Sequence, residues 1–340
     1  MAVTIANSLA SKGINSHLCS TRLEGSLKKN IKPDVHYFFL NKKTTFDIKA
    51  VFKLKNYVKK NKITHIHAHT TSYFLAFLVK LIQPSVKIIW HDHYGNSEYL
   101  HERSNIPLKL ISKYFLAIIS VNEQLQHWAI QSLKFKNAFC LYNYAVKSVE
   151  NKSPIQLKGI EGKRIICMAN FRKQKDHFNL VSAFKLIHEK YSDWSLHLVG
   201  KEFDDDYTEK VKDFIKSENL QVCIYRYGSV ENSATLLQQA DIGVLSSASE
   251  GLPVALLEYG LYQLPVVVTN VGDCHKVVTH NISGMLVASK NPHELANAIE
   301  TLIHSKDKRS TFGEALYKKV RTNFSEEAYI NKLLQIYHCE

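Results

Sequence analysis

No apolar run in this 340-residue chain approaches the roughly 20 residues that a membrane-spanning helix needs. The nearest, Tyr73 to Ile82, is interrupted by Lys80. The N-terminus has no basic segment leading into an apolar core, so no secretory signal is expected. The six cysteines (Cys19, Cys140, Cys167, Cys223, Cys274 and Cys339) are scattered, with no C-x-x-C pair. That spacing argues against a disulfide frame or a cysteine zinc site and fits free thiols in a reducing cytoplasm. There is no recognisable nucleic-acid motif, no basic run interleaved with stacking aromatics, and no repeat at a solenoid period. What remains is an enzyme or binding protein, long enough for two domains with separate cores.

Acidic residues are scarce in the first half. Residues 1–150 hold 21 Lys+Arg against 8 Asp+Glu, whereas residues 151–340 hold 23 of each, so the whole net charge of +13 lies in the first half. Such a surface favours an anionic partner (acidic lipid headgroups, a diphosphate-linked acceptor or nucleic acid), and the membrane surface ranks first. Residues 46–60 read as an amphipathic helix. Ile48, Val51, Phe52, Leu54 and Val58 are its apolar members, and Lys49, Lys53, Lys55, Lys59 and Lys60 crowd the rest.

The most informative stretch runs from Asp241 to Val278. Ile242 to Leu245 suits a buried parallel strand, S-S-A-S-E-G a loop, and Pro253 the start of a helix. Pro253, Leu256, Leu257 and Gly260 fall on one helical face, and Pro265 to Thr269 reads as the next strand. Ligands of parallel sheets bind at the C-terminal strand ends, where a helix N-terminus offers N–H groups to phosphate. Glu250 stands at the mouth of such a site and Glu258 over a turn further along the helix, an arrangement suited to a long ligand with a charged middle and hydroxyls at both ends.

E-G-L-P-V-A-L-L-E, followed by V-x-T-x-V-G, resembles the E-x7-E motif of glycosyltransferase family 4, retaining enzymes of the GT-B fold. The resemblance implies an α/β protein with two Rossmann-like domains facing across a cleft, a nucleotide-sugar donor (UDP- or GDP-linked) and no cofactor or metal. It implies that Glu250 contacts the donor sugar, that backbone N–H groups around Gly251, Leu252 and Pro253 hold sugar and phosphate, and that Glu258 binds the ribose. The loop Asn170 to His177 resembles the family's basic loop. Lys175 matches its lysine, and Arg172 is a second cation where the family's arginine position is Asn170. Gly228 resembles a turn near the donor base.

The first half is matched less closely. Met1 to Ser11 reads as a helix and Ile14 to Cys19 and Val35 to Leu40 as strands. The buried strand and Gly-Gly turn that precede this helix in the family are not found, so a first strand is expected to be missing. His65, His67 and His69 alternate and share one face of a strand, which raises a zinc reading. Ala68 stands where a metal hydrolase of this pattern needs Asp. Aligned through Gly95, His93 matches the family histidine near the reacting carbon, with His91 as the alternative.

The domains are expected at 1–146, 164–322 and a returning helix at 323–340, with a linker at 147–163. Catalytic residues are expected to be His93, Glu250 and Lys175. The expected activity is transfer of a sugar to a cell-envelope polysaccharide or lipid-linked glycan, in the cytoplasm or at the inner face of its membrane. A GT-B sugar-nucleotide epimerase, a non-catalytic subunit and a zinc hydrolase are the competing readings.

Overall fold

The computed structural model describes residues 1–94, 97–147, 155–230 and 233–339. Gly95, which anchors the alignment of His93, and most of the N-terminal half of the expected linker lie outside them. The chain divides into two compact units, one formed by Met1–Asn143 with Glu326–Glu340, the other by Tyr144–Ser325.

In the first unit, strands and helices alternate: α1 Ala2–Ser11, β1 His17–Ser20, β2 His36–Phe39, α2 Ile48–Lys60, β3 His65–His69, α3 Tyr73–Ile82, β4 Lys87–Asp92, α4 Ile106–Ser112, β5 Phe115–Ser120, α5 Glu123–Ser132 and β6 Ala138–Cys140. Side-chain oxygens start two of the helices. Asp47 accepts from the Ala50 N–H and Asn122 from the Leu125 N–H. All pairing is parallel, β1 with β2 in one sheet and β3-β4-β5-β6 in another. A cavity of about 600 Å³ separates the two sheets, lined on one side by β1 and on the other by β3. Neither β1 nor β3 has a strand partner on that side among the described residues. In α2, Ala50, Val51, Leu54 and Val58 are buried. Ile48 and Phe52, expected with them, are instead 69% and 52% exposed, because they lie one behind the other on the outer face.

The second unit begins a new alternation: β7 Arg164–Met168, α6 His177–Lys190, β8 Ser195–Val199, α7 Asp206–Ser217, β9 Ile224–Arg226, α8 Ala234–Leu237, β10 Ile242–Leu245, α9 Val254–Leu261, β11 Val266–Thr269, α10 Cys274–Val277, β12 Met285–Val287, α11 Pro292–His304 and α12 Lys306–Asn323. The last helix, α13 Glu326–Tyr337, belongs to the first unit and packs against α1 and β5 there. Asp176, Asp205, Asn291 and Ser305 cap their helices. Leu157 is buried and its N–H donates to Gln239, so the chain from Ile155 onward is folded onto the second unit rather than running free as a linker.

The strand order here is β12-β11-β10-β7-β8-β9, all parallel. Covered by helices, Ile165, Cys167, Leu196, Leu198, Ile242, Val244 and Val267 form part of one core. From β7 the chain winds outward to β9, then returns to the other side of β7 and winds outward to β12. The order therefore reverses between β7 and β10, where a doubly wound sheet opens a crevice at its C-terminal edge.

Candidate functional site

The loops leaving β7 and β10 are tied together at that reversal. The Ala248 N–H donates to the Gln174 carbonyl at 2.8 Å, and the Ser246 hydroxyl donates to the carbonyls of Lys175 and Asp176. Asp176 takes a left-handed backbone conformation, φ 47°, and caps α6 with its side chain, which turns the β7 loop sharply after Lys175. Lys175 Nζ thereby meets Glu250 Oε1 at 2.5 Å, and the Ser247 hydroxyl donates to the same oxygen at 2.6 Å. Glu250 is buried, so its charge is held by a cation and a hydroxyl rather than by water.

A third loop, following β11, closes on the same place. Gly272 has φ +54°, and a Cβ there would lie 2.1 Å from the Glu250 carbonyl oxygen, so only glycine fits. The Asp273 N–H donates to the Gly251 carbonyl. The N–H groups of Gly251 and Leu252 donate to no acceptor among the described residues. Pro253 is the residue before α9 rather than its first helical residue, with an extended ψ of 121°. Its ring still presets the entry to the helix.

Helix α9 is fixed underneath. Leu256, Leu257 and Tyr259 are fully buried, and the Tyr259 hydroxyl accepts from the Met168 N–H at 2.7 Å. A Cβ on Gly260 would come within 2.5 Å of Val320, so α12 packs directly on this helix. Glu258 is half-buried on α9, and its carboxyl has no hydrogen-bond or ion-pair partner among the described residues. Burial pushes its carboxyl up to about 7.

Two expected residues stand apart from this cluster. Arg172 is exposed and its guanidinium lies 5.3 Å over the Phe203 ring. Gly228 follows β9, with φ +63°, and accepts from the Gly200 N–H. Both line the same C-terminal sheet edge, on the side of β8 and β9. Sequence reading missed Ser247 as a site residue, whereas Gly272 closes the V-x-T-x-V-G string that carries the resemblance. The hydroxyls of S-S-A-S-E-G, one turn before Glu250, were the available signal for Ser247.

In the first unit, β3 and β4 place a cluster of imidazoles. His69 pairs in register with His91, and His67 lies on the same face two residues earlier. His69 Nδ1 is 2.9 Å from His93 Nε2, and the His91 and His93 rings stack at 4.0 Å. Burial pushes His67 down to about 3 and His93 to about 4, so these rings are neutral. Asp92, between His91 and His93, turns to the other face and takes a two-point contact from Arg103 at 2.6 and 3.0 Å.

Known proteins resemble this chain along its whole length. The family model described as "Glycosyl transferases group 1" matches residues 148–319, and "Glycosyltransferase Family 4" matches residues 1–138. The chain is 24% identical to the N-acetyl-alpha-D-glucosaminyl L-malate synthase of Bacillus anthracis, with 98% of this chain and 91% of that protein covered. It is also 24% identical to a capsular polysaccharide biosynthesis glycosyltransferase of Staphylococcus aureus, covering 96% and 93%. The crystal structure of Anabaena Alr3699/HepE in complex with UDP and glucose superposes with a TM-score of 0.82 at 16% identity, over 99% of this chain and 96% of that one. The shared fold is GT-B, an α/β architecture of two Rossmann-like units.

Proposed function

Because this chain belongs to the glycosyl transferases of group 1, and is a glycosyltransferase, we propose that it moves a sugar from a nucleoside-diphosphate sugar to a hydroxyl of a cell-envelope glycan, with retention of the anomeric configuration. The observation that carries the donor assignment is the Lys175–Glu250 pair at the strand-order reversal, with Gly251 and Leu252 N–H groups beside it and Glu258 on the helix that follows.

In this reading the donor diphosphate competes for Lys175, whose ammonium is a point charge well suited to phosphate oxygens. Glu250, released from Lys175, accepts from sugar hydroxyls. Gly251 and Leu252 N–H groups donate to sugar and phosphate, and the N-terminus of α9 adds partial positive charge. Glu258 accepts from the ribose hydroxyls. Arg172 and Gly228, toward β8 and β9, serve the diphosphate and base ends. As the bond from the sugar's anomeric carbon to the phosphate oxygen breaks, negative charge grows on the diphosphate, and Lys175 and the amides stabilise it. The acceptor oxygen bonds to the same carbon, and its proton passes to the leaving phosphate oxygen. His93, at the end of β4, is the first unit's candidate for contact with the sugar. UDP or GDP as the nucleotide, and no resident metal or cofactor for the transfer itself, complete the proposal.

The acceptor class rests on the likeness to the Staphylococcus aureus capsular polysaccharide enzyme and to an O-antigen biosynthesis glycosyltransferase of Escherichia coli. A lipid-linked glycan places the work at the cytoplasmic face of a membrane. No helix among the described residues is long and apolar enough to cross one. Phe46, Ile48 and Phe52 are each more than half exposed among the lysines of α2, a surface suited to an anionic interface.

The deciding experiment is a thermal-shift series with UDP, GDP, ADP and CMP on the natural chain and on Glu258→Ala. A nucleotide at about a hundred times its Kd adds roughly 2.7 kcal/mol to the folded state. One nucleotide should stabilise the natural chain and not the variant. A cooperative melt that no nucleotide shifts would remove the donor-site assignment.

A further inference from the structure

The imidazoles of β3 and β4 form a second constellation, within the first unit. Ring centroids of His67, His69 and His91 lie 4.6 to 5.1 Å apart. One nitrogen from each ring falls within 4.8 Å of the other two. His67 Nε2 and His91 Nδ1 are 3.1 Å apart. Two nitrogens bound tetrahedrally to zinc at about 2.0–2.1 Å are separated by about 3.3 Å, so this pair needs little movement to share an ion.

Two of the three outer ring nitrogens are held as metal ligands require. His67 Nδ1 is 2.7 Å from the Tyr337 hydroxyl, which aims Nε2 inward. His69 Nδ1 meets His93 Nε2 at 2.9 Å, which leaves its own Nε2 for an ion. His91 is fully buried and turns Nδ1 to His67; its other nitrogen, Nε2, has no hydrogen-bond partner among the described residues.

The histidine set differs from the one the alternation of β3 suggests. His65 turns its Nε2 to the Tyr337 carbonyl at 3.1 Å, and His91 from the neighbouring strand takes its place. The cavity beside β3 is lined by His67, His69 and Tyr337, giving an ion a way in.

We propose that His67, His69 and His91 form a binding site for a divalent transition-metal ion of the zinc class, with Tyr337 and His93 orienting the ligands from outside. Three imidazoles and no carboxylate select zinc, nickel or cobalt over magnesium or calcium. Asp92, the nearest acid in sequence, is committed to Arg103 on the other face, so the site binds without the carboxylate a hydrolytic centre would use. The ion would clamp the ends of β3 and β4.

The test uses the full chain without a histidine tag, titrated with Co²⁺ alone. The expected result is one Co²⁺ per chain with the intense visible bands of a four-coordinate nitrogen site, displaced by Zn²⁺. His67→Gln and His91→Gln should each weaken binding by about 100-fold or more, and Tyr337→Phe by about tenfold. His275→Gln, an exposed histidine, should leave binding unchanged. The weak bands of six-coordinate Co²⁺, or binding that His67→Gln and His91→Gln leave intact in folded protein, would mean adventitious surface binding and overturn the proposal. The natural chain's spectrum decides even where a variant does not fold. No donor or acceptor is present, so the outcome is independent of transfer activity.

Discussion

Lys175 and Glu250, 75 residues apart in the chain, meet at 2.5 Å because the strands that carry them, β7 and β10, are neighbours at the point where the sheet reverses its winding. Each residue sits on a loop fixed by backbone hydrogen bonds to the other loop. The pair is therefore a product of topology, and the proposed donor site is built on it.

Lys175→Ala removes the cation proposed to face the leaving diphosphate. Turnover should fall by about 10²–10³-fold, the scale for losing one preorganised charge stabiliser. Steady-state kinetics with a saturating donor measures it. Unchanged kcat would exclude Lys175 from the charge-stabilising role.

Glu258 gives a pH signature. Its folded-state carboxyl lies near 7, above the usual carboxylate range, because burial disfavours the charge. Between about 4.5 and 7 the folded chain keeps a proton that the unfolded chain has lost. Its contribution to stability is thus present at low pH and lost as pH rises through 7. Glu258→Gln carries no such loss, so the variant's melting temperature should gain on the natural chain's across that window. Nucleotide affinity of the natural chain, measured by calorimetry relative to the variant, should rise over the same interval as the carboxylate forms. Parallel pH profiles would contradict both.

Arg103 is a structural cation. It forks onto Asp92 and lies 4.1 Å over the Trp128 ring. Asp92 is 2% exposed, so Arg103→Ala strands a buried charge and should cost about 3–5 kcal/mol in urea denaturation. Pairing it with Asp92→Asn should recover part of that loss. A loss below about 1 kcal/mol would show that the pair is solvated.

The lysine-rich α2 face should bind vesicles containing anionic lipid at low salt and release them at high salt. Phe52→Ser with Ile48→Ser should weaken that binding by removing exposed apolar area, while leaving the fold intact since both side chains face outward. Sedimentation with vesicles reads it. Binding indifferent to salt and to these substitutions would refute an interfacial α2.

Sequence by itself determined the local pattern: that Ile242 to Leu245 is a strand and the next lies within Pro265 to Thr269, that a helix follows residue 46, and that Glu250 and Glu258 stand in an E-x7-E spacing where a helix starts. These features were legible because they are periodic or contiguous. Burial on both faces shows as an apolar run such as Ile242 to Leu245, and a cap shows as a polar residue just before a helix. Only the tertiary structure decided what depends on distant segments meeting. It brought Ser247 and the Gly272 turn against Glu250, put Ile48 and Phe52 outside rather than in the core, and exchanged His65 for His91 in the imidazole cluster. The exchange has a plain cause. Alternation along one strand tells which residues share a face, but strand neighbours and register tell which rings touch, and those are set by the pairing of β3 with β4.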